Sequence, residues 1–249
     1  MKLDNHSLVA QPVKYLKSGW DGGDSLNYTS IYYMLTLNTN DDIYFFNEIF
    51  ESKRYPGLYV RHPDPAQTRH AFGSFCAGNF NGVESRDQMT GKLCYFAMGK
   101  HKDSLKRSLK QHLKRGMIFA NNSYHNGEQP LVVNRKKWYK HDVTLFDIWA
   151  LYIRGLRLWY LWPLLLLFDL HLFIAAIFYR FRIHADPLSY INKCIVANEI
   201  LPTPWVWAIN RINSFKKTFV ELVNYWCGWR KHEEFIELYL PFLNKHWRG

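Results

Sequence analysis

"LWYLWPLLLLFDLHLFIAAIFY", residues 158 to 179, is the stretch that most narrows what this chain can become. A helix needs ~20 mainly apolar residues to cross a bilayer, and this run has that length. Trp159, Tyr160, Trp162 and Tyr179 stand near its ends, where aromatic side chains sit at a membrane boundary. Asp169 and His171 fall near its centre, and Pro163 near its start. An acidic side chain at mid-bilayer costs on the order of 2.5 to 3.5 kcal/mol, and a proline inside a helix adds strain. Two environments therefore compete: a membrane span, and a central helix buried on all sides of a large helical domain. In both, Asp169 is the residue to follow. Buried without a partner it would take up a proton, so an arginine partner or a functional role is expected for it. Arg154 and Arg157 precede the run and Arg180 and Arg182 follow it, so flanking charge sets no orientation.

The rest of the chain reads as helices separated by proline and glycine. Asp24 or Ser25 caps a helix through "SLNYTSIYYMLTL", and "DDIYFFNEIFESKRY" starts a second near Asp41 or Asp42. Pro56, Pro63 and Pro65 make residues 55 to 65 a loop, and "FGSFCAGNFNG" is a glycine-rich connection. Ser85 and Gln88 have capping-box spacing before "MTGKLCYFAMGK". "KDSLKRSLKQHLKRG" places Leu105, Leu109 and Leu113 on one stripe among lysines and arginines, an amphipathic basic helix with the leucines toward the core. Residues 117 to 141 are irregular, with a short strand in "LVVNRKKWYK". Asp142 caps the next helix, and Asp186-Pro187 and Thr203-Pro204 open helices near 187 to 200 and 204 to 227. A last helix, 233 to 246, bends at Pro241. The expectation is a mainly α protein, one domain over residues 1 to 249, of about eight helices.

The opening segment "GWDGGDSLN" carries Trp20, Asp21 and Asp24 around two glycines. By itself it is a helix-entry turn with Asp24 as the cap. A Ca²⁺ loop is disfavoured, because no bidentate glutamate follows at the right spacing and Leu26 and Tyr28 replace oxygen ligands. The segment resembles the Trp-Tyr-Asp-Ala-Gly-Asp motif of family 9 glycoside hydrolases, although no tyrosine separates Trp20 from Asp21. The resemblance implies an (α/α) toroid, with one of Asp21 and Asp24 activating water and the other supporting it. Glu233, Glu234 and Glu237 are available for the acid, without a motif to select one. Inverting hydrolysis needs paired carboxyl groups, and Asp87 in "SRDQ" and Asp64 in "RHPDP" offer more, each near an arginine, Arg86 and Arg61. Trp20, Arg61, His62, Asp64 and Arg86 would then contact a carbohydrate substrate, and Asp87 would join Asp21 and Asp24 in catalysis.

Charge opens other readings. Lysine and arginine total 32 against 21 acidic residues, a net charge of +11 that favours anionic partners. A membrane-associated, non-enzymatic protein would use residues 158 to 179 as anchor and the basic helix against an anionic membrane surface. A nucleic-acid binder, ranked third, would stack bases on Trp138 and Tyr139 among Arg135, Lys136, Lys137 and Lys140. The sequence lacks a P-loop, a GxSxG elbow, an HExxH pair and a dinucleotide fingerprint, and no cofactor or metal is expected. Cys76, Cys94, Cys194 and Cys227 show no ligand spacing. They are expected to be reduced, in a chain that is cytoplasmic or membrane-associated, since "MKLDNHSLVAQPVKYLKSG" has no continuous apolar core of a signal peptide.

Overall fold

Prolines and capping residues set where the helices begin. The computed structural model describes residues 25–36, 40–52, 56–59, 86–114, 145–180 and 187–212. They form α1 (Ser25–Thr36), α2 (Asn40–Phe50), α3 (Arg86–Met98), α4 (Lys102–Lys114), α5 (Leu145–Leu156), a 3-10 turn (Trp159–Leu161), α6 (Trp162–Arg180), α7 (Pro187–Glu199) and α8 (Pro204–Ile212). Among the described residues the sole β feature is one isolated bridge, Glu51 to Tyr59, so the protein is mainly α. Pro187 and Pro204 each stand first in their helix, where the missing N–H has no intrahelical partner to lose. Pro163 is the second residue of α6 and so does not strain that helix; the apolar run divides instead into a 3-10 turn and a helix. The expected strand near 131 to 140 and the final helix near 233 to 246 lie outside the described residues, as does the stretch 213 to 227.

The enclosed helix of the bundle is α3. Every residue from Gln88 to Ala97 is buried, with α1, α4, α5 and α7 packed around it. That encirclement is why its sequence has no apolar stripe: a helix covered on all sides needs none. A Cβ on Gly91 would collide with Asn27 Oδ1, so α1 and α3 approach through a residue without a side chain. Aromatic rings fill the adjoining space around Phe46 of α2, whose centroid lies 5.1 Å from both Phe50 and Tyr95, 5.7 Å from Phe96 and 6.1 Å from Tyr33. Centroid spacings of this order suit tilted and edge-on ring pairs. The ammonium of Lys92, buried in the middle of α3, lies 4.3 Å from the Tyr59 ring centroid.

Three helix ends turn sharply on residues other than glycine. Lys100 (φ 60°) follows α3, Arg157 (φ 57°) follows α5 and Leu201 (φ 50°) follows α7, all left-handed. After α5, the Leu158 N–H donates to Ile153 O at 2.9 Å and the Arg157 N–H to Arg154 O at 3.0 Å, the paired bonds of a Schellman cap. Left-handed backbone at a residue with a Cβ costs about 1 to 2 kcal/mol. It is held because the turn reverses the chain and lays α6 back on α5.

The basic helix differs from its leucine pattern. Its buried residues are Ser104, Leu105, Ser108 and His112, while Leu109 is partly covered and Leu113 is 51% exposed. Polar groups line the buried side because each meets a partner: Ser108 Oγ donates to Gly57 O at 3.0 Å, and His112 Nδ1 lies 2.5 Å from Tyr152 OH. Leu113 therefore sits out among the lysines.

Candidate functional site

Three helices, α5, α6 and α7, bring buried charge together on the inner side of the apolar helix α6. On α6 the buried positions are Leu165, Asp169, Leu172 and Ala176, one narrow stripe at helical spacing. Asp169 is 2% exposed and faces Arg154 of α5, itself 2% exposed. Arg154 Nη1 donates to Asp169 Oδ1 at 2.9 Å and Nη2 to Oδ2 at 2.5 Å, a fork-to-fork pair. The remaining guanidinium edge reaches the α7–α8 junction, where Nε donates to Ile200 O at 2.9 Å. Thr203 Oγ1 donates to Asp169 Oδ2 at 2.6 Å. Thr203 does stand just before α8, and its carbonyl accepts the first helical N–H, from Val206, at 3.0 Å. Its hydroxyl proton, however, serves Asp169. One arginine and one aspartate thus tie α5, α6 and the start of α8 into a single clasp.

A second buried group lies nearby. Asp147, in the first turn of α5, accepts from Lys193 Nζ of α7 at 3.2 Å; both residues are 4% exposed. His171 of α6 stands on the flank of its helix with Nδ1 3.6 Å from Asp147 Oδ1, beyond hydrogen-bond length. Cys94 of α3 and Cys194 of α7 are free thiols in this interior. Burial pushes the Cys194 thiol up to about 12 and moves Cys94 the same way, so neither is a ready nucleophile.

The outward side of α6 is a different surface. Leu164, Leu167, Ile174 and Ile177 are exposed, Leu167 by 59%. Trp159 and Tyr160 stand out at the N-terminal end, Trp159 by 74%. The span Trp159–Ile177 is 19 residues with mean hydropathy 1.9, and 22% of it is buried within the protein. It is long and apolar enough to cross a membrane.

Of the residues the sequence singled out, Asp169 is buried and paired, with Arg154 and Thr203 as the partners that the sequence did not name. Arg86 and Asp87 are the first two residues of α3. Trp20, Asp21, Asp24, Arg61, His62 and Asp64 lie outside the described residues, so their convergence on one cleft is not seen. Neither is Cys76 or Cys227 among the described residues. Within those residues the acids that do share a region are Asp147 and Asp169, and each has a buried cation against it. What this arrangement accomplishes chemically is placement: an apolar helix carries an aspartate without presenting it on its outer side. The chain has no match among protein-family models, curated proteins or solved structures.

Proposed function

We propose that this chain is a membrane-associated protein whose α6 is the lipid-contacting helix. The observation that carries the reading is the division of α6 into two faces, with Asp169 turned inward to Arg154 and Leu164, Leu167, Ile174 and Ile177 turned outward. Magnitudes show why the division decides. Each leucine or isoleucine contributes roughly −0.3 to −0.6 kcal/mol to insertion, so those outward side chains together supply about −1 to −2.5 kcal/mol. A lipid-facing aspartate, at about +2.5 to +3.5 kcal/mol, would cancel them. With its carboxylate held inside by Arg154 and Thr203, α6 keeps the gain. Its length agrees as well: 19 residues at ~1.5 Å each give roughly 28 Å, close to the ~30 Å hydrocarbon thickness of a bilayer. Trp159 and Tyr160 then fall at the headgroup level.

The glycoside-hydrolase reading draws on Asp21, Asp24 and their neighbours, and the division of α6 neither uses nor needs them. The test of the membrane reading is fractionation of the expressed full-length chain followed by an alkaline wash of the membrane pellet. Retention in the pellet is expected, and release of the wild-type chain into the soluble fraction would overturn the reading.

A further inference from the structure

We infer that α4 docks on the anionic headgroups of a phospholipid bilayer, through the exposed ladder Lys102, Lys106, Lys110 and Lys114. This rests on the reading of α6 as the lipid-contacting helix, and it adds the chemical class of lipid the protein selects. The four lysines recur every fourth residue, so they lie along one side of α4, each exposed. Leu113, 51% exposed, falls within that arc.

The other sides of α4 are already engaged. Arg107 donates to Glu51 through Nε at 2.9 Å and Nη2 at 3.0 Å, and Gln111 Nε2 donates to Pro56 O at 2.9 Å. Ser104, Leu105, Ser108 and His112 are buried. Arg107 is therefore tied to the protein, and the lysine ladder is the side left to a partner.

Placement selects that partner. α4 packs on the C-terminal half of α5: His112 meets Tyr152, and a Cβ on Gly155 would press against Leu105. Gly155 lies four residues before Trp159, in the exposed aromatic 3-10 turn that precedes α6. The ladder is thus carried on a helix packed against the end of α5 from which the chain passes into α6. An exposed leucine among lysines suits the boundary between headgroups and acyl chains. A nucleic-acid strand would instead be served by aromatic side chains on which bases stack, and the ladder side of α4 has none.

The full chain, reconstituted into nanodiscs of phosphatidylcholine alone or mixed with phosphatidylserine, can be treated with an amine-acetylating reagent and each lysine read by mass spectrometry. Lys102, Lys106, Lys110 and Lys114 are expected to lose reactivity on the order of fivefold each in the anionic discs, equivalent to ~1 kcal/mol per lysine. Buried Lys92 and Lys193 should stay unlabelled in both kinds of disc, which checks that the fold is intact. Raising salt from ~0.1 M to ~1 M shortens the screening length from about 10 Å to about 3 Å, and it should restore the reactivity. Equal reactivity in the two kinds of disc would overturn the proposal, and so would protection by an added oligonucleotide in neutral discs without protection by phosphatidylserine. Failure of α6 gives another result: a chain that does not enter neutral discs. The same labelling on phosphatidylserine vesicles then tests the ladder by itself, protection supporting it and unchanged reactivity overturning it.

Discussion

Replacing Arg154 with methionine is the sharpest perturbation of this structure. The side chain is 2% exposed and holds both Asp169 oxygens and the Ile200 carbonyl. Methionine fills much of the same volume, so the effect is electrostatic before it is steric. Removing one partner of a buried ion pair costs about 3 to 5 kcal/mol, because the other charge stays behind without compensation. A domain is stable by only about 5 to 15 kcal/mol, so Arg154→Met should remove a large part of the total. Arg154→Met combined with Asp169→Leu removes both charges and should recover part of the loss. Full recovery is not expected: Ile200 O and the Thr203 hydroxyl each lose a buried bond, at about 1 to 3 kcal/mol if left unsatisfied. The assay is urea unfolding in detergent micelles, followed by tryptophan fluorescence, on wild type, both single variants and the double variant. The expected order is wild type, then the double variant, then Arg154→Met, with a coupling energy of at least about 2 kcal/mol. A loss below about 1 kcal/mol for Arg154→Met, or a double variant as unstable as the sum of the singles, would refute the clasp. The same variant links stability to location: Arg154→Met strands a charge on α6, so part of the chain should come off the membrane in an alkaline wash.

Two further perturbations address residues that flank α4. The His101 ring packs 4.9 Å from the Tyr95 centroid, and burial lowers its pKa from 6.5 to about 4. Between those values the unfolded chain takes up a proton that the folded chain refuses, so stability is full above about pH 6.5 and falls as pH drops toward 4. Allowing for partial exposure, the slope from this residue is roughly 1 kcal/mol per pH unit, and His101→Phe should flatten it; parallel stability-pH curves for the two proteins would rule this out. Gly57 adopts φ +101°, and a Cβ there would strike the Arg107 carbonyl and Gln111 Cγ. Gly57→Ala should cost about 2 to 4 kcal/mol by lifting residues 56 to 59 off α4, measured as a lower urea midpoint, and a change within about 0.5 kcal/mol would show that the turn yields freely.

Local chemistry made much of the helical order legible. Pro187 and Pro204 fix helix starts through their own covalent geometry, and the apolar run reports its length and hydropathy without help from the rest of the chain. Tertiary partnership was not legible. Leu113 matches a leucine stripe, yet Ser108 and His112 occupy the buried side, because Gly57 O and Tyr152 OH give them partners that periodicity does not register. That Asp169 needed a partner or a functional role followed from its surroundings; that it has a partner, Arg154, follows from a left-handed turn at Arg157, which its sequence does not advertise, since arginine seldom adopts positive φ. The opening motif belongs to neither case, because Trp20, Asp21 and Asp24 lie outside the described residues.

The helix that joins these observations is α5. Tyr152, which meets His112 of α4, stands two residues and about 200° of helix before Arg154, which meets Asp169 of α6, and Gly155 follows where Ala97 of α3 and Leu105 of α4 crowd the backbone. Arg154 and Tyr152 are both buried polar side chains on a helix whose other buried residues are mostly apolar, and each secures a different neighbour. The basic helix and the apolar helix need not touch for their positions to be related, since both pack on α5. Displacing Arg154 should therefore release α6 while leaving the His112–Tyr152 contact in place, whereas a side chain at Gly155 presses on Leu105 and moves α4. The proposed lipid contact by α6 and the proposed charge presentation by α4 would in this sense both depend on one short segment, Tyr152 to Gly155, and mutation would separate them because the contacts leave it from different residues.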